Sequence, residues 1–340
     1  MLALCVAPAG AQQQQQSASA PAGKRLLNFN VRYLIDNIPK NLQLLDFWFP
    51  MPQETDAQKV SNKTIRGPYD VETTIDPETG NQYFYMRGGP RGGLGMQVHV
   101  TFDVERSQQG PRDLQTPPAA GAIKTDSQPL QRWLRPDTLV VLDGSVKSIA
   151  SRATSGKRKP VDKARAIYDY VTTNLTLLEG AGALPGAGLG NIKFALEHKK
   201  GDAADITAVF IGLCRSDGIP ARNVIGWLVP TLIKQGLIER SHHWAEFHLD
   251  GYGWIPADPA AGMRTPAKKD WYFGAIDENR IAVSIGRDIT LVPAQKERPL
   301  NFWATLYWEG DQKTMAIPQT LINFQEVSEI PVHTLGTPAP

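Results

Sequence analysis

Cysteine is nearly missing from this sequence, with two residues in 340, at positions 5 and 214. If the first residues are removed on export, Cys214 has no partner and no internal disulfide forms. An excess of charge of one sign is missing as well. Thirty-six basic residues against thirty-four acidic ones leave a formal charge of +2, too small and too evenly spread to follow a phosphate backbone, so nucleic acid is not an expected partner. No run of about eighteen apolar residues occurs, so no transmembrane segment is expected. Internal repeats are absent. The glycine-rich stretch EGAGALPGAGLGN at 179–191 has no strand leading into it and no Gly-Lys-Ser/Thr at its end, which argues for a flexible rim loop over a phosphate loop.

A composition of 41% hydrophobic and 21% charged residues is that of a soluble globular chain, and the length suits two domains. The first residues, LALCVAPAGAQ, form a short apolar stretch ending in small residues. They are expected to be the remnant of a signal peptide over 1–11, so export to a periplasm or the extracellular space is expected. Residues 12–25 are low in complexity and are expected to be disordered. From Leu26 the pattern turns to period two: Leu27, Phe29, Val31 and Tyr33 alternate with polar residues, and runs at 44–49, 83–86 and 97–104 have the same strand character. Residues 26–106 are thus expected to be an antiparallel β domain, with a Pro/Gly/Gln-rich linker at 107–130. A second domain is expected over 131–325 and a tail over 326–340. In the second domain Pro160 precedes Ala164, Ile167, Tyr168 and Val171 at helical spacing. Strand-like runs at 281–285, 290–292 and 301–308 are expected to extend this domain's sheet.

Two blocks carry the chemistry. In the first, Gly201 and Asp202 form a helix start signal, Asp205 fits a capping arrangement, and Ile206, Val209, Phe210 and Leu213 supply a buried face. The second, at 241–260, reads as a hairpin around Asp250-Gly251-Tyr252-Gly253. Alternation puts His242, Trp244, Glu246 and His248 on one face and His243, Ala245, Phe247 and Leu249 on the other. A two-residue loop aligns Asp258 with His243, whereas one extra residue aligns it with Trp244, beside His242; spacing alone leaves both open.

Together with Gly-Ile-Pro-Ala-Arg at 218–222, His-x-Trp-x-Glu at 242–246 and Gly-x-Gly-Trp-x-Pro-x-Asp at 251–258, these blocks resemble the transglutaminase-like superfamily of papain-like acyl-transfer enzymes. The resemblance covers about residues 125–305 and extends to a bacterial exported subgroup. It implies an α+β fold in which one helix packs on an antiparallel sheet behind the N-terminal β domain. It also makes His242 the base and Asp258 its orienter, with Trp244 and Trp254 as candidate substrate contacts. The family's nucleophile block reads Gly-x-Cys-x-Asp, and here position 203 is alanine. Cys214 lies about 16 Å further along the helix and Thr207 about 6 Å, so neither is expected to replace the missing thiol.

A metal site at His242, Glu246 and His248 is the rival reading, but the helical His-Glu-x-x-His spacing is absent and no cofactor is expected. The reading taken is a non-catalytic pseudoenzyme that binds a peptide or protein amide. One alternative is an active cysteine protease or acyltransferase whose cysteine at 203 was replaced by engineering. The other is a structural or protein-interaction domain.

Overall fold

The structure is a computed structural model and describes residues 23–36, 38–89, 95–111, 113–116, 130–179, 184–311, 313–315 and 318–330. The signal-peptide-like start, most of the glutamine-rich leader, most of the 107–130 linker and the last ten residues of the tail lie outside it. In chain order the first strands are β1 (Lys24–Ile35), β2 (Leu45–Pro50), β3 (Gln58–Arg66), β4 (Val71–Ile75), β5 (Gln82–Gly88) and β6 (Met96–Ser107). After a short 3-10 turn at Leu130–Leu134 come α1 (Gly144–Ala153), α2 (Pro160–Asn174), β7 (Thr176–Leu177), α3 (Ile192–His198), β8 (Lys200–Gly201) and α4 (Ala203–Ser216). Then follow β9 (Ala221–Leu228), β10 (Gln235–Leu237), β11 (Ser241–Leu249), β12 (Gly253–Ala257), α5 (Pro259–Arg264) and β13 (Arg280–Ile285). The chain closes with β14 (Tyr307–Gly310), β15 (Lys313–Thr314) and β16 (Gln319–Glu326).

The period-two pattern of the first unit has a direct structural cause. Along β1 every second side chain from Leu27 to Ile35 is buried, and the strand pairs antiparallel with β6 on one side and β16 on the other. Two five-stranded sheets result, β10-β16-β1-β6-β3 and β15-β14-β2-β5-β4. They share one core, in which Phe29 meets Phe102 at 5.4 Å and Phe47 stacks on Trp308 at 5.4 Å.

Three expectations are corrected here. The run at 301–308 does not extend the second sheet: Tyr307–Gly310 pairs with β2, and β16 then pairs with β1. Alternation identifies a strand but not its neighbour, and the partner is set by the large apolar face that Trp308 lays on Phe47. The run at 290–292 forms no strand, leaving only an isolated bridge between Ile289 and Leu300. Arg25, read as disordered leader, lies inside β1. Its guanidinium reaches Pro230 O and Asn279 Oδ1 at 2.9 Å each and Glu326 at 2.9 Å, and these bonds offset the cost of burying it.

The second unit is the four-stranded antiparallel sheet β12-β11-β9-β13, with α4 on one face. Ile206, Val209, Phe210 and Leu213 of α4 pack against Ala245, Phe247 and Ile255, and the Ala164, Ile167, Tyr168 and Val171 stripe of α2 closes the same core. On the opposite face lie Trp133, Trp244 and Ile276. The two units are joined at β13, where the Gln53 and Gln58 amides donate to the Val283 and Ala282 carbonyls at 3.0 and 2.9 Å. Because β14 and β16 complete the first sandwich, Trp308→Ala should cost about 3 kcal/mol of global stability. Urea unfolding measures it, and a loss under about 1 kcal/mol would contradict the shared core.

Candidate functional site

The site begins at the N-terminus of α4, which is fixed by reciprocal capping. Asp202 Oδ1 accepts from Ala204 N at 2.8 Å and Asp205 N at 3.2 Å, and Asp205 Oδ2 accepts from Asp202 N at 3.2 Å. Asp205 is fully buried and accepts two more backbone bonds, from Gly188 N at 2.8 Å and Asn191 N at 3.0 Å. The glycine-rich stretch is thereby strapped to the start of α4. Glycine is required at 190, where φ is +63° and a Cβ would stand 2.3 Å from an Arg287 nitrogen. Burial raises the Asp202 carboxyl above its usual range, against the pull of its backbone donors. Ala203 is the first helical residue and is half-buried. At this position the helix dipole and free N–H groups would favour a thiolate, but a methyl group has no lone pair to attack with.

The hairpin supplies the second part. Ala245 pairs with Ala257 and Leu249 with Gly253, so the loop has the extra residue and Asp258 falls opposite Trp244, next to His242. His242 Nε2 lies 2.7 Å from Asp258 Oδ2 in a buried pair. An ionised Asp258 only accepts, so Nε2 carries the hydrogen and Nδ1 is left as the basic nitrogen. Asp258 Oδ1 accepts from Ala261 N at 2.8 Å, and Arg280 Nε stands 3.2 Å from Oδ2. Burial alone would push the Asp258 carboxyl up. The charges of His242 and Arg280 outweigh it and hold the group down at about 2.

His243 is placed differently. Its Nδ1 is 3.3 Å from Asn223 Oδ1 and its ring meets Phe302 edge-on at 4.7 Å. Burial, with repulsion from His242 and Arg287, pushes its pKa down to about 3. Of the two adjacent histidines, only His242 has a carboxylate to orient it.

Contacts between α4 and β11 bring the two parts to the same end of the unit. Thr207 Oγ1 donates to His243 O at 3.4 Å and Phe210 meets Phe247 at 6.0 Å, so helix and strand run side by side in the same direction. The start of α4 therefore lies towards the Ser241–His242 end, and the Asp202 carboxyl feels the charge of His242. Thr207 is tied to backbone. Cys214 is fully buried, and burial pushes its thiol well above the ordinary value.

The two tryptophans are placed differently from each other. Trp244 is 2% exposed in a core with Trp133, Val224 and Ala282, which leaves no ring face for a ligand. Trp254 pairs with His248, six strand residues from His242, or about 20 Å away. Its ring carries the Arg222 guanidinium at 3.9 Å. Arg222 also binds Glu246 at 2.8 Å from the facing position on β9. Three side chains near the site went unread: Asn223, Arg280 and Arg287. Asn223 follows Gly-Ile-Pro-Ala-Arg directly and could have been found from the strand register. The two arginines arrive from β13 and the residues after it, a reach that no local spacing encodes. His242 and Glu246 thus take different partners, and among the described residues no group of three His, Cys, Asp or Glu side chains is placed to hold a metal ion.

This α+β architecture, with antiparallel sheets and one buried helix behind the hairpin, is the papain-like fold. A crystal structure described as a candidate cysteine protease of Cytophaga hutchinsonii superposes with a TM-score of 0.58 at 14% identity, covering 93% of this chain and 94% of that one. The family model of the transglutaminase-like superfamily matches residues 147–259, so the chain carries a transglutaminase-like superfamily domain that includes Ala203, His242 and Asp258. An uncharacterized Haemophilus influenzae protein is 26% identical over 310 residues, 80% of this chain and 82% of its own length. The Bacillus subtilis protein YebA is 28% identical over 134 residues, 36% of this chain and 18% of YebA. The periplasmic domain of TgpA from Pseudomonas aeruginosa aligns with a TM-score of only 0.36 at 14% identity, over 71% of this chain and 92% of that one.

Two buried groups, His243 and Asp258, make the fold sensitive to acid with a definite sign. His243 is held neutral in the folded chain down to about 3, while the unfolded chain takes up a proton near the usual 6.5, so stability falls as pH drops between these values. Asp258, depressed to about 2 from 3.8, stabilises the fold fully above the unfolded value, and this contribution is lost as pH falls through the folded value. Urea titrations should show a loss of up to about 2 kcal/mol between pH 6.5 and 5, most of it removed by His243→Gln. A wild-type profile flat across that interval would contradict the burial of a neutral His243.

Proposed function

We propose that this protein is an exported, non-catalytic amide-binding protein on a transglutaminase-like scaffold. One observation carries the reading: His242 and Asp258 keep a buried 2.7 Å contact beside a capped helix whose first residue is Ala203. Burying a carboxylate is costly unless it is paired, and this one is paired with a histidine and an arginine. The base and its orienter thus persist where the attacking atom does not. With cysteine at 203, the same layout would form a thioester from an amide and release an amine, and water or a second amine would resolve it. With alanine, the amide can be held but the bond-forming step has no nucleophile. Export rests on the apolar leader at 1–11, and Cys214, buried and free, is compatible with an oxidising compartment.

The ligand is a peptide or protein amide, and its ground-state affinity comes mainly from contacts away from the reacting centre. Purified protein should therefore show no turnover of chromogenic peptide amides while binding peptides by calorimetry. The affinities of the native and Ala203→Cys proteins should agree within about 1 kcal/mol. Turnover abolished by His242→Ala would show that another group attacks. Absence of all peptide binding in both proteins would favour a structural or protein-interaction domain instead.

A further inference from the structure

Alongside His243, towards the start of α4, there is a cavity that this reading has not used. It measures about 420 Å³ and is lined by Ile225 and Trp227 of β9, Ser241 of β11, and Phe302, Trp303 and Leu306 of the segment returning to the first sandwich. Trp227 pairs with Ser241 and Ile225 with His243, so these side chains stand on the sheet face that carries Ala245, Phe247 and α4. The cavity is thus at the α4 N-terminal end. Ser241 directly precedes His242, and Phe302 forms both the cavity wall and the ring contact to His243 at 4.7 Å. Asn301, the neighbour of Phe302, accepts from Arg287 and donates to Leu189 O at 2.7 Å, which ties this wall to the strap over α4.

We propose that this cavity is the specificity pocket of the site and takes a large apolar group, leucine- or phenylalanine-sized, from the bound peptide. The inference rests on the amide-binding reading and adds the class of side chain. Its volume lies within the ~300–1,000 Å³ of pockets that enclose small ligands. Among the described residues, the charged ones lining it are Glu239 and Arg240, which are exposed and belong to its mouth. A charged side chain pushed inside would lose its hydration without gaining a partner, whereas an apolar one gains by leaving water.

Calorimetry on acetyl-Ala-X-Ala-amide peptides with X as Phe, Leu, Gly or Asp tests the assignment. Phe and Leu peptides should bind at least about tenfold tighter than the Gly peptide, with Asp weakest. Ala304, another lining residue and only half-buried, offers a plug: Ala304→Trp should abolish the preference for Phe, and Ala304→Ser should keep both the preference and the thermal midpoint. Indole, which contains no amide, separates the two readings. Saturable indole binding lost in Ala304→Trp supports the pocket even where no peptide binds, which would remove the amide reading. Peptides that bind without side-chain preference, or a preference that survives the plug, overturn the pocket and leave the amide reading standing.

Discussion

A fully buried carboxylate, Asp258, sits where four parts of the second unit meet. It ends the hairpin strand β12, caps α5 through Ala261 N, receives His242 Nε2, and stands against Arg280 from β13. An isolated carboxylate in this position would cost several kcal/mol, so each of these partners is a condition of the fold. Removing Asp258 would in turn leave Arg280, 4% exposed, with Asp277 as its one carboxylate partner among the described residues. This requirement gives the pair a structural role that does not depend on catalysis. It offers a physical reason for the His242–Asp258 pair to be kept whatever residue stands at position 203.

The start of α4 depends on a second buried carboxylate. Asp205 closes the capping box and binds the strap at Gly188 and Asn191, so the loop next to position 203 is fixed by the helix it covers. Arg287 and Asn301 hold the same strap from the other side through Leu189 O. Ala203 therefore occupies a wall of defined shape.

Local signals in the sequence were sufficient for much of this. The alternation from Leu27 to Tyr33, the stripe from Ala164 to Val171 and the capping pair Asp202–Asp205 each depend on residues within one or two turns of one another, and each has its expected structure. The hairpin was legible as a hairpin, but its register turned on a single loop residue, which the Tyr252 position decides. What could not be read was long-range. Trp308 finds Phe47, and Arg280 finds Asp258, by packing across the chain. Trp244 and Trp254 illustrate the same limit, since an aromatic in a motif looks alike whether it faces a cleft or a core, and only burial and register separate the cases.

The central claim is that the site is complete except for its sulfur atom, and Ala203→Cys tests it most directly. The rate of iodoacetamide modification at position 203 would be followed against pH and compared with an unstructured peptide thiol, while buried Cys214 stays unmodified in the folded chain. The account predicts a thiol that reacts faster than the reference near neutral pH, slowed strongly by His242→Ala and little by His243→Ala. A rate equal to that of the reference thiol, or one that depends on His243 instead, would contradict it.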